Sequence, residues 1–323
     1  MLSMALNGIG RLGRMVLRAL YENNYKGLKV VAINNRASAE ISAFLLERDT
    51  VHGKFNQSIK YTKDEIKIGK DRIQSYHEND PINCPWDDEN VDVVLECSGK
   101  FNSKDESCKH IEAGAKKVIV SAPCKDADQT VVYGVNHKNI SKTDHIISVA
   151  SCTTNCLAPL AFAIHKNFKI EKGYMTTIHS YTSDQRLLDN SHKDLRRARS
   201  APNAIVPTST GAAKSLRMII PELANKIDGV SIRVPTPNVS LVQLSFNSKK
   251  KLTKEKINSS LLKASKTYLK NVLGVEQKPL VSSDFNHDPR SSIVDTGLTK
   301  TIGNNFATVF AWYDNEWGFS NRM

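Results

Sequence analysis

Along the first half of the chain, short apolar runs alternate with stretches in which apolar residues recur every three or four positions. Leu2 to Leu6 reads as a short buried strand. A glycine turn follows, and a helix is expected from about Gly13 to Asn23 with Val16, Leu17 and Leu20 on one face. Lys29 to Ile33 is a second strand and Ala39 to Glu47 a second helix, so the opening unit is βαβ. Val91 to Leu95, Lys117 to Val120 and His145 to Val149 supply further apolar strands. Between the first two of these, Ser103 and Glu106 stand as S-x-x-E, a pair that can satisfy each other's backbone N–H groups, and a helix is expected from there to about Ala113. Alternation at this spacing implies a mostly parallel, doubly wound sheet with helices on both faces.

After about residue 150 the pattern changes. A helix at Thr153 to Lys166 leads into a strand at Tyr174 to His179, and a long polar segment runs from Ser180 to Asn203. A helix near Thr210 to Ile220, alternating strands at Ser231 to Val234 and Ser240 to Phe246, a helix at about Thr253 to Tyr268 and a last strand at Ala307 to Tyr313 complete the pattern. This is the texture of an α+β unit with a mostly antiparallel sheet. Two domains are therefore expected, residues 1–150 and 151–314, with the C-terminal segment 315–323 returning to the first. No internal repeat is visible.

Composition narrows the classes. With 323 residues, 40% hydrophobic and 24% charged, the chain is globular and long enough for two cores. Apolar runs such as Leu157 to Ile164 fall far short of the roughly 20 residues that a membrane span needs. Met1 to Leu6 lacks the basic, apolar and small-residue succession of a secretory leader, so a cytoplasmic location is expected. Six dispersed cysteines, Cys84, Cys97, Cys108, Cys124, Cys152 and Cys156, with no C-x-x-C pair, argue for free thiols rather than a disulfide scaffold or a metal site. The formal net charge of +12 favours anionic partners. Apart from Arg196 to Arg199 and Lys249 to Lys251, the basic residues are spread along the whole chain with no nucleic-acid-reading motif, so nucleic acid is not expected as the main partner.

Gly8-Ile9-Gly10-Arg11-Leu12-Gly13 is a G-x-G-x-x-G between a strand and a helix, where glycines permit a tight turn and close approach of backbone to a pyrophosphate. In a βαβ context this favours dinucleotide binding over a plain turn. The acid that usually ends the second strand and holds the adenosine ribose is replaced by Asn34-Asn35-Arg36. Asn35 can bond a ribose hydroxyl without repelling a 2′-phosphate, and Arg36 could pair with one. NAD is the expected cofactor, with NADP as the alternative.

The second motif is Ala150-Ser151-Cys152-Thr153-Thr154-Asn155-Cys156, at the junction of a strand and a helix. A thiol at a helix N-terminus meets free amides and a favourable dipole, which lower its pKa and can stabilise an oxyanion. From position alone, a buried inert cysteine is an equal alternative for Cys152, and for Cys156, one turn deeper, it is the preferred reading. His179, ending the strand from Tyr174, could present an imidazole to the thiol and act as acid or base. Taken singly, His179 reads as structural.

Seven segments in order resolve these alternatives: NGIGRLGR (7–14), SCTTNC (151–156), HSYTSDQ (179–185), DLRRARSAP (194–202), PTSTGAAK (207–214), RVPTPNVS (233–240) and WYDNEWGFSNRM (312–323). Over nearly its whole length the chain resembles the phosphorylating glyceraldehyde-3-phosphate dehydrogenases. The resemblance implies an α/β fold, a Rossmann-type domain followed by an α+β catalytic domain. It also implies oxidation of a phosphorylated aldehyde through a thioester on Cys152, with His179 moving the proton and inorganic phosphate accepting the acyl group. By the same resemblance, Thr182 and Arg233 hold the substrate phosphate, while Ser151, Thr153, Thr210, Gly211 and Arg197 hold the attacking one. Asn315 meets the nicotinamide carboxamide and fixes the ring face that takes hydride, with Tyr313 packed beside it, and Ser98 and Ser121 line the cofactor. Asn79-Asp80-Pro81 stands where the family has Arg-Asp-Pro near adenine, so Asn79 keeps that cofactor contact only if its backbone makes it.

The loop 180–203 corresponds to one that packs on a neighbouring subunit in the family, so a homotetramer is implied. The family continues past the Asn-Arg-Met at 321–323 with a covering helix, so the sequence is expected to be a trimmed form. An erythrose-4-phosphate dehydrogenase shares the Cys and His pair and a Phe-Asn-His-Asp-Pro segment like 285–289. Against it, Pro207 to Gly211 suits a tight inorganic-phosphate pocket. A basic RNA-binding protein is the alternative from another class, to be recognised by steep salt dependence.

Overall fold

The computed structural model describes residues 1–323. Contacts within it divide the chain into two compact units, residues 1–131 with 138–150 and Met323, and residues 132–137 with 151–322.

The first unit is built on a nine-stranded sheet in the order Gln129–Thr130, Ile146–Ser148, Lys117–Val120, Val93–Glu96, Leu2–Asn7, Leu28–Asn34, Asp71–Tyr76, Glu65–Ile68, Ile59–Tyr61. The first seven strands run parallel, and the last two add an antiparallel edge. Both faces are buried, as a parallel sheet between helices requires. Leu6, Ile33, Ile66 and Ile73 form one core with Val16, Leu17 and Leu46, and Ala5, Ala32, Val94 and Val118 form the other with Trp86 and Ile146. From Leu2–Asn7 the chain steps outward in one direction, and it later returns to Val93–Glu96 and steps outward in the other. The carboxyl ends of those two neighbours therefore flank the point where the strand order reverses.

The second unit carries a seven-stranded sheet in the order Val206–Thr208, Ile227–Val234, Ile170–Ser180, Ser240–Ser248, Phe306–Tyr313, Ser292–Ile302, Leu273–Glu276. Its neighbours are antiparallel except where Ile227–Val234 meets Ile170–Ser180 and Leu273–Glu276 meets Ser292–Ile302. The helix Cys152–Phe168, buried along most of its length, contacts the helices Ala212–Ile219 and Lys254–Lys266 and the central strands.

Three differences from expectation have physical causes. The strands Ile59–Tyr61, Glu65–Ile68 and Asp71–Tyr76 were not anticipated, because Ile66, Ile68 and Ile73 are their only deeply buried apolar residues, set among charged neighbours. Ser292–Ile302, an 11-residue strand, was missed because Asp295, Thr296 and Thr299 occupy buried positions that a hydrophobic pattern leaves blank. The expected return of 315–323 reduces to Met323 alone, which packs against the first core. Residues 315–322 stay with the second unit because Asp314 accepts from the amides of Glu316 (2.9 Å), Trp317 (2.7 Å) and His287 (2.7 Å), and the Trp317 ring stacks on His287 at 3.6 Å.

Candidate active site

The glycine loop lies between Leu2–Asn7 and the helix Arg11–Glu22, and its geometry separates the work of its three glycines. Gly8 has φ +94°, and a Cβ there would lie 2.6 Å from the Ser98 backbone. A Cβ on Gly13 would come within 2.1 Å of the Gly8 carbonyl, so the helix can pack this closely only without a side chain. Gly10, the N-cap, would place a Cβ in open space with nothing within 4 Å. A bare backbone facing an open cleft at a helix N-terminus fits a diphosphate, whose oxygens need amides and tolerate no intervening side chain. The cleft is lined by Asn7, Gly8, Gly10, Asn34, Asn35, Arg36, Asn79, Ser98 and Lys100, among others.

Beneath it lies a polar row set by strand register, since Asn7 pairs with both Asn34 and Glu96. Asn34 Nδ2 donates to Asn7 Oδ1 at 2.8 Å, and Asn7 Nδ2 donates to Glu96 Oε2 at 2.5 Å. Glu96 also accepts from the Ser98 amide (2.7 Å) and hydroxyl (2.5 Å). Trp86 Nε1 donates to His110 Nδ1 at 2.9 Å, which assigns the proton to His110 Nε2, 3.2 Å from Glu96 Oε2. Among the anticipated cofactor residues, Asn35 is tethered by Nδ2 to the Ser42 hydroxyl at 3.1 Å. The Arg11 guanidinium is taken by Asp49, leaving its backbone to the loop, and Leu12 is half-buried in the first helical turn. Ser121 is buried, its amide donating to the Glu96 carbonyl at 3.0 Å, and it is not among the residues lining the cleft.

Ala150, the last residue of the first unit before the helix, has φ +57°; in the second unit Ser151 caps that helix, its hydroxyl accepting from Thr154 N at 3.1 Å. Cys152 is the first helical residue. His179 lies on Ile170–Ser180 directly across from Arg233 on Ile227–Val234. The Cys152 Sγ to His179 Nε2 distance is 3.5 Å. His179 Nδ1 lies 2.6 Å from the Ser180 carbonyl and 3.1 Å from Arg233 Nη1; the shorter contact, to a group that can only accept, assigns the proton to Nδ1 and leaves the Nε2 lone pair facing the sulfur. Arg233 donates to the same carbonyl at 3.2 Å, and its Nε is buried without a partner in the chain, a donor suited to an anion.

Arg197, whose charge reaches His179, donates to the Thr208 hydroxyl (3.0 Å), Asp184 (2.6 Å) and the Ser209 carbonyl (3.3 Å). The Thr210 hydroxyl accepts from Ala212 N at 3.2 Å, Gly211 has open space where a Cβ would stand, and Thr182 begins the turn whose carbonyl accepts from Gln185 N at 3.0 Å. The Thr153 and Thr177 hydroxyls each meet the buried Tyr313 hydroxyl at 2.9 Å, so Thr153 tethers the helix start to the sheet.

The geometry is that of a thiol at a helix start, an imidazole 3.5 Å from it and the Arg233 guanidinium beside that imidazole. Residues 2–104 match the model of the glyceraldehyde 3-phosphate dehydrogenase NAD binding domain, and residues 151–315 match that of the C-terminal domain. The chain belongs to the glyceraldehyde-3-phosphate dehydrogenase family. Relatives bearing that enzyme's name occur in Xanthobacter flavus, 50% identical over 319 residues, and in Cereibacter sphaeroides, 49% identical over 319 residues. Each of these alignments covers 99% of this chain and 95% of the relative. A plasmid-borne form from Cupriavidus necator is 50% identical over 324 residues, 100% of this chain and 96% of the relative.

In this member of the family the electrostatics of the pair differ from expectation. Burial pushes the Cys152 thiol above the ordinary cysteine range, against the opposing pull of Arg233 and the Thr153 amide. Burial, reinforced by Arg233, lowers His179 to about 3. The helix N-terminus alone had suggested a lowered cysteine; desolvation in the folded unit outweighs it. Sequence reasoning also missed the Glu96, His110 and Trp86 network. An acid closing the apolar run Val93–Glu96 was its visible signal.

Proposed function

We propose that this protein is a phosphorylating glyceraldehyde-3-phosphate dehydrogenase, oxidising glyceraldehyde 3-phosphate with NAD and inorganic phosphate to 1,3-bisphosphoglycerate, a step of glycolysis and gluconeogenesis. The observation that carries this reading is the 3.5 Å approach of Cys152 Sγ to a His179 Nε2 whose lone pair is freed by the Nδ1 bond to Ser180. The Cys152 sulfur bonds to the aldehyde carbon while His179 takes the thiol proton and passes it to the carbonyl oxygen, giving a hemithioacetal. When bound, NAD supplies the hydride acceptor. As hydride leaves the carbon, His179 Nε2 takes the hydroxyl proton, and a thioester remains on Cys152. Inorganic phosphate then attacks the thioester carbon, the C–S bond breaks, the leaving sulfur takes back the proton held on His179, and the acyl phosphate departs.

Because His179 is neutral at rest, it can accept a proton at each step. Thr182 and Arg233 would hold the substrate phosphate, and Ser151, Thr153, Thr210, Gly211 and Arg197 the attacking one. The orphaned Arg233 Nε supports the first assignment, and the open face of Gly211 at a helix start supports the second. Asn315 would meet the nicotinamide carboxamide, with the cofactor backbone lying on Gly8 to Gly13 and its adenosine near Asn35, Asn79 and Ser98. Steady-state rates with glyceraldehyde 3-phosphate, with and without phosphate, test the reading. Turnover should collapse when phosphate is omitted, and phosphate-independent oxidation of erythrose 4-phosphate as the faster reaction would reject it.

The loop after Ser180 exposes Leu187, Leu188 and Leu195, and Ile205 is exposed just beyond it. Such apolar groups on an isolated chain support a homotetramer in which they are covered, to be checked by native mass spectrometry. Six free cysteines fit a cytoplasmic setting, and no helix is long and apolar enough to cross a membrane.

A further inference from the structure

Asn315 is 6% exposed, and its side-chain oxygen is fully committed. Ser180 Oγ donates to Oδ1 at 2.8 Å and Ser240 Oγ donates to it at 3.0 Å. Ser240 Oγ in turn accepts the Ser180 backbone N–H at 3.1 Å, so its own proton is the one left for Asn315. An amide oxygen has two lone pairs, and both are taken. What Asn315 can offer any ligand is therefore its Nδ2 donors only.

The residue before Ser240 is unusual. Val239 has φ +66°, a left-handed backbone that a β-branched residue adopts at a cost, and it is held there by packing against Phe285 and Ile293. That packing fixes where the Ser240 hydroxyl stands. Ser180 is the second node: its carbonyl takes the His179 Nδ1 proton, its amide is held by Ser240, and its hydroxyl holds Asn315.

We infer that Ser180 and Ser240 are positioning residues that lock Asn315 as a donor-only amide, so that it captures the oxygen of the cofactor's carboxamide and keeps the ring in one orientation beside the base. The inference rests on the reading of Asn315 given above as the residue that meets the carboxamide. A carboxamide turned over would present its NH₂ to the Nδ2 donors of Asn315, and two donors facing each other repel. Turning the ring over about its glycosidic bond would also carry the carboxamide away from Asn315, so a contact that accepts only the carboxamide oxygen at that one place favours one ring face.

The test compares Ser180→Ala, Ser240→Ala and Asn315→Ala in the full chain. One readout is the dissociation constant for NAD set against that for ADP-ribose, which lacks the nicotinamide. The other is the face of the reduced ring that receives deuterium from 1-deuterated glyceraldehyde 3-phosphate, read by NMR. All three variants are expected to weaken NAD about tenfold, the scale of one well-made buried hydrogen bond, with ADP-ribose unchanged within about twofold. Deuterium should appear on both faces. ADP-ribose binding also reports that each variant is folded. Should either alanine variant fail to fold, the near-isosteric cysteine, a weak donor, is expected to give the same pattern. If the serine variants keep the wild-type NAD preference and a single labelled face while Asn315→Ala loses both, the positioning claim is overturned and the reading of Asn315 stands. If Asn315→Ala changes neither, the reading of Asn315 fails and the inference falls with it.

Discussion

Gly10→Ala and Gly13→Ala are both single methyl additions to one loop, and the structure assigns them opposite consequences. At Gly13 the new Cβ would stand 2.1 Å from the Gly8 carbonyl oxygen, more than 1 Å inside the ordinary contact distance, so the helix must slide away from the strand. Overpacking of this kind costs about 1–3 kcal/mol or more. At Gly10 nothing lies within 4 Å, and the residue is an N-cap without a side-chain bond, so alanine costs at most about 1 kcal/mol of stability. The methyl occupies the space that a diphosphate needs. Losing one or two charge-assisted bonds of about 1.5–3 kcal/mol each should weaken NAD by roughly 10- to 10,000-fold. Urea unfolding without cofactor, paired with calorimetric titration of NAD, separates the two effects. Gly10→Ala should unfold near the wild-type midpoint yet bind NAD poorly, and Gly13→Ala should unfold early. The reasoning is refuted if Gly10→Ala binds NAD like the parent, or if it destabilises the chain as much as Gly13→Ala.

Other expectations follow from the same geometry. Because burial raises the Cys152 thiol, its alkylation by iodoacetamide in the ligand-free chain should be slow at pH 7 and climb most steeply above the ordinary cysteine range, whereas a rate already at plateau by pH 7 would contradict the direction of the shift. His179 is lowered to about 3 from an ordinary 6.5, so the unfolded chain binds this proton first. The stability that its neutrality confers is full above about pH 6.5 and drains away as pH falls toward 3, and His179→Asn should flatten that part of the stability curve. The same variant should lower turnover by about 100- to 10,000-fold with cofactor affinity retained. Asn35→Asp places a carboxylate where a 2′-phosphate would sit, and the ratio of kcat/KM for NAD over NADP should rise at least about tenfold.

How much of this was legible beforehand depended on how local each signal was. The βαβ opening and its glycine loop could be read because four of the six residues of Leu2–Asn7 are apolar and the turn chemistry lies within a few residues of it. Cys152 was visible as a thiol at a strand-to-helix junction. His179 was visible only as a histidine at a strand end; its partnership with Cys152 spans 27 residues and depends on the sheet. What the sequence could not supply was desolvation. The helix terminus at Cys152 is a local feature that argues for a lowered pKa, and Arg233 pulls the same way, whereas the burial that outweighs both is a property of the folded unit that no local stretch of sequence displays. The polar networks were hidden for the same reason. Ser240 and Asn315 are 75 residues apart and Trp86 and His110 are 24 apart, so no window along the chain contains both partners. The long strand Ser292–Ile302 was lost because its buried Asp295 accepts the Trp312 indole N–H at 3.3 Å, a polar residue doing a core residue's work.

The central claim is a covalent acyl group carried by one sulfur, and intact-protein mass spectrometry addresses it directly. With glyceraldehyde 3-phosphate and NAD present and inorganic phosphate omitted, the chain should gain the mass of one 3-phosphoglyceroyl group, mapped by peptide digestion to Cys152, and should lose it within a turnover when phosphate is added. An unmodified chain under those conditions, or an adduct at any other residue, would contradict the account.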